Sequence, residues 1–234
     1  MPAEAVPALS SLEGLDGVLP ASQARSREAR DRLLRAGEKV FAKAGYEAAH
    51  IGDIAAAAHC SVGSFYRRFR DKEAFFKALL HRFIDLAKRN AVETFEGRDW
   101  SGKTSAEVIR VHVERSLRLF KDNGGFFRAL FQLTTAGGAG AYWPLIEDSE
   151  RFRGRLMAKF LRARAEGGSG LDDACFFAVR VTDGAIVHTV LREVYPSGEE
   201  LGAVDDLARM IVGFPGLTQV PKAEAGRGRS RRRR

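Results

Sequence analysis

Residues 50–69 read HIGDIAAAAHCSVGSFYRRF, and the fold turns on how they are read. Ile51, Ile54, Ala55 and Ala58 recur at threes and fours, which defines one short helix. His59 and Cys60 interrupt it. Ser61 then stands where a helix N-cap belongs, and Val62, Phe65, Tyr66 and Phe69 repeat a helical spacing. Two short helices joined by about three residues, the second opening on a serine, form a helix-turn-helix. The second helix must keep apolar groups inward and present short polar groups and cations outward. Phe65 and Phe69 are the inward set. Gly63 and Ser64 carry almost no side chain, so the backbone there can approach a duplex closely. Tyr66 has a hydroxyl able to reach a phosphate. Arg67 and Arg68 are read as outward guanidiniums for phosphates or guanine edges.

Upstream, Ala29, Leu33, Ala36, Val40, Phe41 and Ala44 form the apolar stripe of a longer helix that starts near Ser26. Gly45 stands at its C-terminal end, where a left-handed turn suits a residue without Cβ. Downstream, Asp71 caps a fourth helix whose stripe runs through Phe75, Phe76, Leu79, Leu80, Phe83, Ile84 and Ala87. That stripe is wide and needs burial on more than one neighbour.

The stretch LLRAGEKVFAKAGYEAAHIGDIAAAAHCSVGSFYRRFRDKEAFF resembles the TetR family of bacterial transcriptional regulators, over roughly Arg27 to Ile84. The aligned positions are Phe41, Gly45, Tyr46, Ile51, Ile54, Ala55, Ser61, Gly63, Tyr66, Phe69, Lys72 and Glu73. The resemblance implies an all-α protein with a three-helix N-terminal DNA-binding domain at 25–85. A larger helical domain at 86–218 would then bind an effector and dimerise. It further implies that Ser61, Gly63, Ser64, Tyr66, Arg67 and Arg68 contact DNA and that Lys72 holds a phosphate. Two positions depart from the family pattern. His50 occupies a slot usually held by Thr; it caps the helix less well but can still donate to a phosphate. His59 occupies a slot usually held by Gly, in the turn, where a positive φ carries a cost.

The remaining chain is helical by periodicity over Ser105–Lys121, Phe126–Thr135, Ser149–Ala165, Leu171–Val194 and Glu199–Phe214, with a glycine-rich break at TAGGAGAYWP. Trp100, Phe120, Phe127, Phe131, Trp143 and Phe152 are candidates to line an effector cavity, although aromatics at helical spacing are core more often than ligand contacts. Ala178, Val181 and Ala185 form a small-residue stripe, and Leu201, Val204, Leu207 and Ile211 an apolar seam. Together they suggest a homodimer through a four-helix bundle, with packing inside one chain as the plainer alternative. His81, His112 and His188 are scattered. No metal spacing and no set of nucleophile, base and orienter is present, so the sequence calls for no cofactor, no metal and no enzymatic activity.

The 234 residues carry a formal charge of +8, unevenly spread. Arg25–Asn90 holds 15 Lys and Arg against 8 Asp and Glu, and Pro221–Arg234 holds 7 against 1. A localised basic region is the footprint of a polyanion binder, with a plain solvated surface as the alternative; the resemblance makes that partner double-stranded DNA with a palindromic operator. The rival is a helical small-molecule-binding protein or enzyme whose basic region is incidental. Two cysteines make no disulfide framework and fit a reducing cytoplasm. Residues 1–24 are expected to be a disordered arm without signal-peptide character, and 219–234 a disordered basic tail. No run of 18 apolar residues occurs, so no membrane partner is expected.

Overall fold

The structure, a computed structural model, describes residues 12, 14–20, 24–135, 140, 142–192 and 200–213. The described residues form nine helices: α1 (Ala24–Ala48), α2 (Ile51–Ala57), α3 (Val62–Tyr66), α4 (Lys72–Phe95), α5 (Ser105–Asp122), α6 (Gly124–Thr135), α7 (Trp143–Ala163), α8 (Leu171–Arg192) and α9 (Glu200–Val212). The fold is all-α. Its one non-helical pairing among those residues is an isolated antiparallel bridge between Val18 and Phe69.

The N-terminal head, α1 to the first half of α4, is built around aromatic rings. Phe41, Phe65, Phe69, Phe75 and Phe76 are fully buried. Phe69 meets Phe75 at 4.9 Å between ring centroids, Phe65 meets Phe75 at 5.2 Å and Phe41 meets Phe76 at 5.6 Å. Local chemistry sets the helix ends as the sequence implies. Gly45 has φ 75° and ends the regular part of α1. Ser61 accepts from the Ser64 N–H, and Asp71 accepts from the Ala74 N–H. His50 sits at the N-cap of α2 without a side-chain cap hydrogen bond. His59 adopts φ 52°, a left-handed conformation that costs a non-glycine residue about 1–2 kcal/mol.

Three expectations are corrected. Residues 14–20 are not a disordered arm: Val18 is buried, Leu19 N–H donates to the Arg68 carbonyl at 2.8 Å, and Arg70 N–H donates to the Gly17 carbonyl at 2.8 Å. This strap escaped notice because its apolar content is too small to show a period. α7 starts at Trp143 rather than Ser149, because Pro144 lies in its first turn, where a missing N–H costs nothing. The division at 85/86 falls inside α4, a single helix whose first half packs in the head and whose second half packs beyond it. The basic tail at 219–234 lies outside the described residues.

Beyond the head, α4 to α9 form a helical layer in which α7 packs on α4 and α8, and α9 packs on α5. α6 lies along α1 and joins this layer to the head.

Candidate nucleic-acid interface and effector cavity

α3 presents one face to solvent. Val62 and Tyr66 are 44% and 49% exposed, and Gly63 and Arg67 are exposed beside them, with His50 at the start of α2. A Cβ added at Gly63 would meet nothing nearer than 3.8 Å within the chain. The glycine is therefore not required by packing, and its smallness is available to a partner outside. Ser61 is exposed and already engaged as the cap of α3.

Three of the residues expected to contact DNA, Arg68, Ser64 and Lys72, are engaged within the chain in this geometry. Arg68 does not point outward: it is 9% exposed. Its guanidinium donates to the Ser64 carbonyl at 2.7 Å, the Ser64 hydroxyl at 2.9 Å and the Ser26 carbonyl at 3.2 Å. It braces α3 against the start of α1, and it takes Ser64, itself buried, out of the exposed face. Arg67 and Arg68 are adjacent, so their side chains diverge by about 100° and only one can face out. Lys72 does not reach outward either. Its ammonium donates to the carbonyls of Tyr46, Glu47 and Ala49 at 2.9, 3.2 and 3.3 Å, closing the C-terminal end of α1, and it lies 4.6 Å from the Tyr46 ring centroid. Val62, placed by its spacing with Phe65 and Phe69, is exposed and joins the outward face. Arg70 is exposed and held by Asp16 and Asp71; the hydrogen bond from Arg70 keeps the Asp16 carboxyl below the usual carboxylate range.

A cavity of about 540 Å³ lies among α4, α5, α6, α7 and α8. Phe120, Phe127, Phe131 and Trp143 line it as the sequence suggested, joined by Leu80, Phe83, Ile84, Phe126, Leu130, Ile146 and Val187. Trp100 and Phe152 do not. Trp100 donates its ring N–H to the Thr94 carbonyl at 2.6 Å in the α4–α5 connection, and Phe152 packs under Lys88. The sequence also gave no sign of a polar rim of Glu147, Ser149, Glu150, Arg153, Arg180 and Asp183. His112 is buried near this rim, with its ring 4.9 Å from Phe95. Burial, with Arg153 and Arg115 nearby, pushes it down to about 3, so it is neutral. Among the described residues no group of three His, Cys, Asp or Glu comes together as a metal site, and Cys60 and Cys175 are free.

One helix touches both sites. α6 lines the cavity through Phe126, Phe127, Leu130 and Phe131 and meets α1 with its other side. The Phe126 N–H donates to the Glu38 carboxylate at 3.0 Å, and the Tyr46 N–H donates to the Gln132 side chain at 2.9 Å. Burial raises the Glu38 carboxyl from 4.5 to about 7, against the opposing pull of the Phe126 N–H and Arg82. A raised carboxyl favours the protonated folded state. Its contribution to stability is therefore complete below about pH 4.5 and is lost as pH rises through about 7. Glu38→Gln keeps an acceptor for the Phe126 N–H and removes the ionisation. It should raise stability at pH 8 by on the order of 1–3 kcal/mol, after discounting for partial exposure, and by nothing near pH 4.5. Denaturant unfolding at the two pH values reads this directly; an equal gain at both would rule out Glu38 as the titrating group.

The expected dimer residues divide. Ala178, Val204 and Ile211 are buried inside the chain, the latter two as α9 packs on α5, so they are not available to a second copy. This is the intrachain packing that the periodicity alone left open. Val181, Ala185 and Leu207 are half-buried, and the Leu201 side chain lies outside the described residues. α8 is long and apolar enough to cross a membrane by length and composition, and 33% of its most apolar window is buried. It carries Arg180 and Asp183, both ion-paired to α7.

Residues 33–79 match the family model described as "Bacterial regulatory proteins, tetR family". Over 67 residues the chain is 39% identical to the HTH-type transcriptional repressor DhaR of Mycobacterium sp. (strain GP1), which covers 29% of this chain and 34% of that protein. Over 99 residues it is 29% identical to the HTH-type transcriptional regulator YerO of Bacillus subtilis (strain 168), covering 42% of this chain and 34% of that protein. The chain thus matches about a third of the length of these curated relatives. Among solved structures, a tetR-family transcriptional regulator from Streptomyces coelicolor superposes with a TM-score of 0.64 at 18% identity, over 80% of this chain and 79% of the other. The fatty acid degradation regulator FadR from Bacillus halodurans superposes with a TM-score of 0.58 at 18% identity, over 79% and 94%. These likenesses extend the fold beyond the matched head. Residues 33–79 thus carry a head that fits the tetR-family model, and the helical body beyond them shares its architecture with solved tetR-family regulators.

Proposed function

We propose that this protein is a cytoplasmic, non-enzymatic transcriptional regulator that binds a palindromic operator as a homodimer and is released from it by a small-molecule effector. The observation that carries the reading is the outward face of α3. Gly63, Tyr66 and Arg67 stand exposed there, while Ser64 and Arg68 brace the helix from behind. A braced helix with a bare backbone segment, a hydroxyl and a cation suits insertion into a major groove. The basic charge of Arg25–Asn90 favours the approach. The helices from α1 into the first half of α4 act as the reading head, and the rest of α4 through α9 as the effector and dimerisation region. The cavity beside α6 supports an effector, because a ligand that favours one position of α6 biases the head attached to it. Repression is the sign favoured by the likeness to DhaR, named a repressor.

The second copy sits on α8. Phe177, Val181, Ala185 and His188 share one face there, Phe177 is 48% exposed, and the helix is too apolar to leave in water. Two copies related by a two-fold axis read a two-fold site. The test is selection of binding sites from random DNA by the full chain, with light scattering alongside. The wild type should enrich an inverted repeat as a dimer. Val181→Glu should be monomeric and lose at least tenfold in affinity for that site. A monomeric wild type, or a pool without an enriched sequence, overturns the proposal.

A further inference from the structure

The cavity beside α6 specifies the charge of its occupant. Its inner wall is aromatic: Phe83 meets Phe127 edge-on at 4.8 Å, and Phe120 stacks on Phe127 at 4.7 Å. Its rim is ionic but fully paired. Arg153 holds both carboxylate oxygens of Asp183, with side chains 3% and 12% exposed, and its third nitrogen reaches the Ser149 carbonyl at 3.3 Å. Arg180 donates to Glu150 at 2.8 Å and lies 3.3 Å from Glu147, which also takes Arg151 at 2.8 Å. The lining itself holds two guanidiniums and three carboxylates; Arg151, outside the cavity, balances Glu147, so with it the ionic set is neutral.

This has a direct consequence for ligand choice. An ionic ligand entering the aromatic space would leave water without finding a free counter-ion. To gain one it would have to displace an existing partner: the Arg153–Asp183 pair is buried, and a buried charge left unpaired is strongly unfavourable, while the Arg180 and Arg151 pairs are half-exposed and cost less to break. An uncharged ring system meets neither cost. Its hydroxyl, if it has one, can still donate to a carboxylate oxygen at the rim. The volume, about 540 Å³, lies within the range of ordinary ligand pockets and accommodates several fused rings. We infer that, on the reading of this cavity as the effector site, the effector is an uncharged polycyclic aromatic hydrophobe, and that the paired rim excludes organic anions and organic cations alike.

Three pyrene probes of one shape test this with the full chain at pH 7: 1-pyrenemethanol, 1-pyrenecarboxylate and 1-pyrenemethylammonium. Fluorescence anisotropy should give the alcohol at least tenfold tighter binding than either ion. Gly184→Leu adds bulk at the cavity edge, where an added Cβ meets nothing within 4 Å, and should abolish binding in a folded protein. Arg180→Gln, at the half-exposed rim, leaves Glu150 without its partner and should raise affinity for the ammonium probe about tenfold relative to the alcohol. An ion that binds the wild type as tightly as the alcohol overturns the inference, as does failure of all three to bind. Operator release is measured in parallel. If the alcohol binds as stated but leaves the DNA bound, the effector reading fails and the charge assignment stands. If an ionic probe is preferred and releases the DNA, the charge assignment alone fails.

Discussion

Gly125→Ala is expected to force α6 off α1. A Cβ at this position would lie 2.2 Å from the Glu38 carbonyl oxygen and 2.7 Å from the Ala42 Cβ and backbone nitrogen. Neither backbone can yield by rotating a side chain, so the helices must separate by an ångström or more. Separation opens the contact that carries the Phe126–Glu38 hydrogen bond and strains the Tyr46–Gln132 link near the far end of α6. Overpacking a tight site costs about 1–3 kcal/mol, and a backbone-on-backbone clash belongs at or above the top of that range. Chemical denaturation should therefore show a loss of 3 kcal/mol or more. If the variant still folds, its operator affinity should no longer respond to an effector, because the helix lining the cavity no longer carries the head. A Gly125→Ala protein with unchanged stability and an intact response would refute the role given to this contact.

The neighbouring arginines of α3 should fail in opposite ways. Arg67→Ala removes an exposed cation from the outward face. Operator affinity should fall tenfold or more, with base preference relaxed at one position if the guanidinium reads a guanine, or with the salt slope reduced by about one if it holds a phosphate. Stability should barely change. Arg68→Ala removes the group that joins Ser64 to Ser26, leaving the buried Ser64 carbonyl and hydroxyl without this donor. It should cost about 2–4 kcal/mol of stability and lower affinity for all sequences together through a loosened head. Thermal unfolding and site selection on both variants separate the two roles. The assignment fails if Arg68→Ala keeps full stability and changes base preference.

The head was largely legible in the sequence because its signals are local. Caps at Ser61 and Asp71, the left-handed glycine at 45 and the cost of a left-handed turn at His59 each depend on a few consecutive residues. Which of two adjacent arginines faces inward is not local. It is decided by the Ser26 carbonyl, forty-two residues away. The intrachain partners of Lys72 were not legible for the same reason: three carbonyls from the end of α1 converge on it only once the head has folded. The cavity was half legible. Aromatic content pointed to Phe120, Phe127, Phe131 and Trp143, but composition cannot separate a ring facing a cavity from one, like Trp100, that closes a connection. The α9 seam was visible as apolar periodicity, and periodicity does not say whether the covering helix belongs to the same chain.

The bridge between Val18 and Phe69 ties a knot of time as well as of space. Leu19 bonds to Arg68 and Gly17 to Arg70, so the chain from the strap through α1, α2 and α3 is a closed loop. Closing a long loop carries an entropic cost that local helix formation does not, and long-range pairings form late. The local turns of α1 can form early, but residues 68–70, just after the reading helix, are fixed only when residues 17–19 dock beside them. Opening that same pairing is also the smallest way to loosen the head without melting a helix. The order in which the molecule becomes able to read DNA thus ends with a segment that lies before its first helix.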